Sequence, residues 1–219
     1  MSEVPKLRLN DQKDVVYRVV AGLLAGVARL MFRPSVTGIE NIPLEGPVLI
    51  APIHRSNVDF AFTLFISPRK VFFMTKDPVF RVPILGPLLL HLGAFPVHRE
   101  SADRESLALS EEVLRLGHAL VLFPEGTRKD GRDVATLHDG AMFVAARTGA
   151  WVVPVGIGGS DRAMPKGARF PRPAKIHIVV GRAIAPPESA GRVSRSQITL
   201  KSEELRRELE NVYHQSLEG

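Results

Sequence analysis

The chain has 219 residues, 45% of them apolar and 24% charged, which fits one folded domain with a substantial core and excludes a largely disordered chain. It has no cysteine, which excludes disulfides, thiolate metal sites and a thiol nucleophile. A net charge of +6 favours polyanionic partners. With aromatics at 6% and no continuous Lys/Arg run, a phosphate group or a membrane surface is expected and a nucleic acid is not.

The N-terminus does not read as a signal peptide, because Glu3, Lys6, Arg8, Asp11, Lys13 and Asp14 precede the first apolar stretch. Residues 12–33 read as a helix ended by Pro34. Asp14, Arg18, Gly22, Gly26, Arg29 and Arg33 recur at three- and four-residue steps, and Val15, Val19, Leu23, Val27 and Leu30 are among the apolar remainder. The uncharged run from Val19 to Ala28 falls well short of the about 20 residues that a spanning helix needs. Two readings stand: a helix covering the core, or an interfacial helix whose apolar side enters lipid while its arginines meet headgroup phosphates. The expected division is a membrane-associating segment over 1–34 and one domain over 35–219, held at the cytoplasmic face of the cell membrane.

Beyond Val36, strands alternate with helices. Strands are expected at Val48–Ile53, Val71–Thr75, Ala94–Val97, Leu120–Phe123, Trp151–Ile157 and Lys175–Val180. Helices are expected at Asn57–Ile66, Ala102–Leu116, Leu137–Thr148 and Lys201–Ser216, with Ser101 as an N-cap and Gly117 and Gly149 just past C-termini. This alternation predicts an α/β fold with a largely parallel central sheet flanked by helices. The uncharged stretch from Val82 to His98 is kept from forming one long helix by Pro83, Pro87 and Pro96 and is expected in the core; the alternative is the wall of a site for a long apolar chain or a patch that dips into the bilayer.

Chemistry collects where apolar strands empty into polar loops. The first such place is His54-Arg55-Ser56-Asn57-Val58-Asp59, at the carboxyl end of a strand, where α/β folds place their sites. Ser56 and Asp59 have the spacing of a capping box, which alone would explain the aspartate. It does not explain His54, whose ring could meet the Asp59 carboxylate and so act as an oriented base. The second place is Phe123-Pro124-Glu125-Gly126-Thr127-Arg128. Here Gly126 permits an unusual backbone angle or a close ligand approach, Arg128 offers a planar fork for phosphate, and Glu125 could orient that arginine, bind a hydroxyl or cap the loop.

Together these two runs resemble the glycerolipid acyltransferase family that includes bacterial 1-acyl-glycerol-3-phosphate acyltransferases. Two further blocks strengthen the resemblance: Gly93-Ala94-Phe95-Pro96-Val97-His98-Arg99, and Val153-Pro154-Val155 followed by Val180-Gly181-Arg182. Lys76, in Met74-Thr75-Lys76-Asp77-Pro78, looks like the family's lysine between the first two blocks. His98 stands where the family usually has an acidic residue before its arginine, and Arg99 is in place.

The resemblance implies transfer of a fatty acyl group from acyl-CoA or acyl carrier protein to a lysophospholipid hydroxyl at a membrane surface. His54 is then the general base and Asp59 its orienting carboxylate. Arg55, Lys76, Arg99, Glu125, Gly126, Thr127 and Arg128 are candidate substrate-binding residues. No acyl-enzyme intermediate is expected, since neither a Gly-x-Ser-x-Gly elbow nor a cysteine is present. Backbone N–H groups after Phe123 or near Ser56 are the candidates for holding an oxyanion. No cofactor and no metal site are expected, because the histidines lack zinc-type spacing. Acylation of glycerol-3-phosphate or another lysolipid, or hydrolysis of the thioester by the same His/Asp pair, are the alternatives.

Overall fold

Runs as uniformly apolar as Val48-Leu49-Ile50-Ala51 and Val152-Val153-Pro154-Val155 suit strands covered on both faces. The computed structural model describes residues 15–63, 65–67, 69–76, 80, 83, 85–97, 102–187 and 193–219. In chain order its elements are α1 (Val15–Phe32), β1 (Ser35–Thr37), β2 (Val48–Pro52), α2 (Asp59–Thr63), β3 (Val71–Lys76), α3 (Leu85–His91) and β4 (Ala94–Val97). These are followed by α4 (Ala102–Arg115), β5 (Ala119–Val121), α5 (Gly140–Thr148), β6 (Trp151–Gly158), α6 (Ser160–Ala163), β7 (His177–Val180) and α7 (Arg195–Glu218).

The strands form one sheet in the order β1-β7-β6-β2-β5-β3-β4, with every neighbouring pair parallel except β6 and β7. The expected α/β architecture with a largely parallel sheet is therefore present. Alternate strand residues feed two cores. Ile50, Phe73, Val121 and Val155 face α1 and α2 on one side, whereas Leu49, Phe72, Leu120 and Val152 face α4 and α5 on the other. Ala28 and Phe32 of α1 belong to the first core, Phe32 meeting Phe62 edge-on at 5.3 Å, so the last turns of that helix are anchored on the sheet.

Differences from the sequence-based expectation have local causes. β5 stops at Val121 because Phe123 already belongs to the site loop. α2 is shorter than Asn57–Ile66 because Asp59 is drawn back onto the preceding turn. α7 begins at Arg195, ahead of Lys201: Ser194 and Gln197 form a reciprocal capping box, and the polar first turn carries no apolar periodicity to reveal it. β1 is too short to show a pattern. α3 lies inside the proline-punctuated stretch, and Pro87 sits in its first turn, where the missing N–H costs nothing. Leu89, Leu92 and Phe95 from that stretch are buried, while Leu90 is exposed. Gly149 takes its predicted C-capping role at φ 70°, and Ser101 lies outside the described residues.

The C-terminal α7 packs directly on β6, where Gly156 and Gly158 leave room for its backbone. A Cβ at Gly156 would collide with the Val212 carbonyl. Gly156→Ala should therefore lower the unfolding free energy in urea by about 1–3 kcal/mol or more. Gly22→Ala, at an exposed helical position with nothing within 4 Å, should leave it level or raise it by about 0.5–1 kcal/mol. Equal effects at both positions would show that α7 does not press on β6.

Candidate active site

From β2 the chain moves to β3 on one side, and from β5 it returns across β2 to β6 on the other. Their carboxyl ends therefore open a crevice at the point where the connections diverge. β2 and β5 pair as Val48↔Ala119, Leu49↔Leu120 and Ile50↔Val121, and the Leu122 N–H continues the ladder to the Ile50 carbonyl at 3.0 Å. Extending that register brings the loop after β2 alongside the loop after β5. There the His54 N–H donates to Glu125 Oε2 at 3.1 Å, across 71 residues of sequence.

The His54 ring is held from two sides. Its Nδ1 lies 2.9 Å from Asp59 Oδ2, and its face stacks on Phe123 with centroids 4.0 Å apart. The same Asp59 oxygen accepts the Arg55 and Ser56 N–H groups, each at 2.7 Å. It therefore acts as an acceptor, and Nδ1 must carry the shared hydrogen. This leaves Nε2 as the acceptor nitrogen on a side chain that is 19% exposed. Asp59 is fully buried. The bond to Ser56 N–H is half of the capping box expected from sequence, so one carboxylate shapes the turn and orients the ring.

Arg55 and Glu125 are both buried and face each other, NH1 to Oε2 at 2.7 Å. Arg55 also donates to the carbonyls of His54 (3.0 Å), Gly131 (3.1 Å) and Asp133 (2.7 Å), and its guanidinium lies over the Tyr213 ring at 5.0 Å. Glu125 Oε1 accepts the Ala135 N–H at 3.1 Å. The polar atoms of both side chains are thus engaged in joining the β2 and β5 loops. Burial pushes the Tyr213 phenol above its ordinary pKa despite the neighbouring Arg55 cation, and its hydroxyl faces the Gly131 carbonyl at 3.4 Å.

Arg128 is partly buried and its guanidinium has no hydrogen-bond or ion-pair partner among the described residues. Gly126 adopts φ 70° with His138 packed where a Cβ would stand, so any other residue there is both strained and crowded. Thr127 is exposed, and its N–H turns back to the Glu125 carbonyl at 2.8 Å. Lys76 closes β3 at the same carboxyl edge, paired with Val97. Arg99 lies outside the described residues. The Arg55 and Ser56 N–H groups are occupied by Asp59, and those of Gly126, Thr127 and Lys129 by the carbonyls of Phe123, Glu125 and His54.

Two contributors were not among the candidate site residues, although Phe123 opens the second polar run. Phe123 reads as the end of an apolar strand until its ring is seen against His54. Tyr213 sits on a helix far along the chain, with nothing nearby to associate it with Arg55.

The charge pair yields a direct expectation. Glu125→Ala leaves the Arg55 cation buried without its counter-charge, and loss of one partner in such a pair costs about 3–5 kcal/mol. Urea unfolding should show a loss of that size. A loss below about 1 kcal/mol would mean that water reaches Arg55 and the two loops are not locked by it.

Comparison with known proteins places this geometry in a family. The Acyltransferase family model matches residues 33–158. The chain is 32% identical over 167 residues to the chloroplastic 1-acyl-sn-glycerol-3-phosphate acyltransferase LPAT1 of Arabidopsis thaliana, covering 74% of this chain and 46% of that protein. The 1-acyl-sn-glycerol-3-phosphate acyltransferase of Bacillus subtilis is 28% identical over 204 residues, covering 91% of this chain and all of that protein. The chain spans about half the length of the plant and algal relatives it matches. The crystal structure of the 1-acyl-sn-glycerophosphate acyltransferase PlsC from Thermotoga maritima shares the fold, with a TM-score of 0.75 at 23% identity over 93% of this chain and 83% of that one. Matched through both loops that carry the His54, Asp59 and Glu125 contacts, this chain belongs to the acyltransferase family.

Proposed function

We propose that the protein transfers a fatty acyl group from a thioester to the free hydroxyl of 1-acyl-glycerol-3-phosphate, with His54 as general base. The observation that carries this reading is the engagement of His54 Nδ1 by Asp59, which directs the basic Nε2 to an acceptor. The naming of relatives as 1-acyl-sn-glycerol-3-phosphate acyltransferases supports this choice of acceptor.

In the step envisaged, Nε2 takes the hydroxyl proton as the oxygen attacks the thioester carbonyl carbon. Asp59 stabilises the resulting imidazolium. Collapse of the tetrahedral oxyanion breaks the C–S bond, and the imidazolium returns the proton to the leaving sulfur. The products are the ester and a free thiol. Because the N–H groups near Ser56 already donate to Asp59, the oxyanion is assigned to the loop after Phe123, where the Arg128 N–H forms no hydrogen bond among the described residues. The Arg128 guanidinium binds the acceptor phosphate, aided by Lys76 and Arg99. Arg55 and Glu125 act as positioning residues that hold the two loops, and Gly126 and Thr127 shape the phosphate loop.

The protein also works at a membrane surface. Val19 (55%), Leu23 (68%), Val27 (57%) and Leu30 (83%) form an exposed apolar stripe along α1, while Ala28 and Phe32 hold its other side to the core. No helix among the described residues is long and apolar enough to cross a membrane. An interfacial helix fits both facts.

In a thiol-release assay with lysophosphatidate, His54→Ala should lower kcat by roughly 10²–10⁴. Arg128→Ala should chiefly raise the acceptor KM. Thiol release equally fast without any acceptor would replace acyl transfer by hydrolysis, and equal use of a non-phosphorylated acceptor would remove the phosphate role. For the membrane reading, Leu23→Glu with Leu30→Glu should reduce vesicle flotation of the full chain; unchanged flotation would discard α1 as the anchor.

A further inference from the structure

On the β6 side of His54 the carboxyl edge of the sheet holds a cavity of about 480 Å³. Arg55 and Tyr213, 5% and 2% exposed, line its inner wall. Around it stand Lys129 and Arg132, from the loop following Arg128, and Arg162 and Lys166, from the connection after β6. The acidic lining residues are Asp130 and Asp161, and Asp130 is paired with Lys166 at 3.0 Å. The side chains of Lys129, Arg132 and Arg162 have no ion-pair or hydrogen-bond partner among the described residues. Arg162 is also a wall of an adjoining recess of about 380 Å³, lined by Arg172 and Lys175 as well. Two concavities joined at one arginine are therefore lined by cations in excess of acids. Convergent like charges repel, and a multiply charged anion relieves that repulsion. A concave site suits a small ligand better than a flat surface does.

The cavity shares its walls with the catalytic loop. The Lys129 N–H donates to the His54 carbonyl at 3.0 Å, and the Arg55 Nε donates to the Gly131 carbonyl at 3.1 Å. An anion in the cavity would thus lie beside the catalytic segment while the His54 ring stayed free for the acceptor. The reaction proposed above needs a second substrate with this layout. An acyl-CoA carries its thioester at one end of a long neutral arm and a diphosphate plus a 3′-phosphate on the nucleotide at the other.

We propose that this cavity binds the nucleotide phosphates of an acyl-CoA donor, with Lys129, Arg132 and Arg162 as the residues that recognise them. The assignment rests on the acyl-transfer reading and adds the identity of the donor to it. The same phosphate chemistry could be offered by anionic lipid headgroups or by the single phosphodiester of a carrier protein's prosthetic group, and the test separates these sources.

The measurement is thiol-release kinetics of the full chain with Arg132→Gln/Arg162→Gln, both exposed positions outside the catalytic contacts. The donor KM for a water-soluble, short-chain acyl-CoA should rise on the order of tenfold, the size expected for losing charge-assisted contacts. Lysophosphatidate KM and kcat should be unchanged, and so should turnover of an acyl-pantetheine that lacks the nucleotide. Free coenzyme A, titrated calorimetrically, should bind the parent chain more tightly than the variant, and removal of its 3′-phosphate should narrow the gap. An unchanged donor KM while His54→Ala remains inactive would overturn the cavity assignment and leave acyl transfer standing. Full activity in His54→Ala would remove both. Weakened binding to phosphatidylglycerol vesicles with unchanged donor KM would identify a headgroup contact and overturn the proposal, as would turnover with a carrier-protein thioester but none with acyl-CoA.

Discussion

One buried carboxylate oxygen organises the turn between β2 and α2. Asp59 Oδ2 accepts two backbone N–H groups and the imidazole Nδ1. The backbone bonds fold residues 54–59 into the turn that starts α2, and the imidazole bond fixes the ring orientation. A carboxylate that merely capped a helix would not need a histidine, and a carboxylate on a loose loop could not hold one still. Here the two requirements are met by the same atom. The other oxygen, Oδ1, is buried without a hydrogen-bond partner among the described residues, so the three donors on Oδ2 carry the hydrogen bonding of that charge.

A second buried charge pair links this turn to the loop after β5. Glu125 reaches the His54 N–H, the Arg55 guanidinium and the Ala135 N–H, and Arg55 reaches the carbonyls of Gly131 and Asp133. Such pairs add little net stability over apolar packing, but breaking one is expensive. Their effect here is to make the distance between the histidine and the loop after β5 a property of the sheet register. That division of labour also sorts the positive charges. Arg55 is consumed by structure, which leaves Arg128 available at the crevice and Lys129, Arg132 and Arg162 around the neighbouring cavity.

Every strand except the three-residue β1 was legible because burial on both faces writes itself as apolar runs, and Gly149 marked its helix end through the left-handed angle it adopts. The start of α7 was hidden because its first turn is capped by polar residues and packs little. Within the site, the spacing of His54 and Asp59 was legible as a local contact, since a single turn separates them. The Arg55–Glu125 pair was not, because it depends on how β2 and β5 register in the sheet, and a buried, paired arginine looks the same in sequence as an exposed one. Tyr213 was invisible for the same reason: its nearness to Arg55 is created by α7 crossing the sheet edge.

The most direct test of the account is the protonation pattern of His54, read by ¹⁵N NMR on histidine-labelled protein above the pH at which the ring is charged, with His54→Gln identifying its signal. A neutral imidazole in water favours hydrogen on Nε2. Orientation by Asp59 predicts the opposite form, with hydrogen on Nδ1 and Nε2 unprotonated, and Asp59→Asn should abolish that preference. Hydrogen on Nε2 in the unmodified protein would contradict the proposed role of the pair, because the nitrogen meant to accept the substrate proton would already hold one.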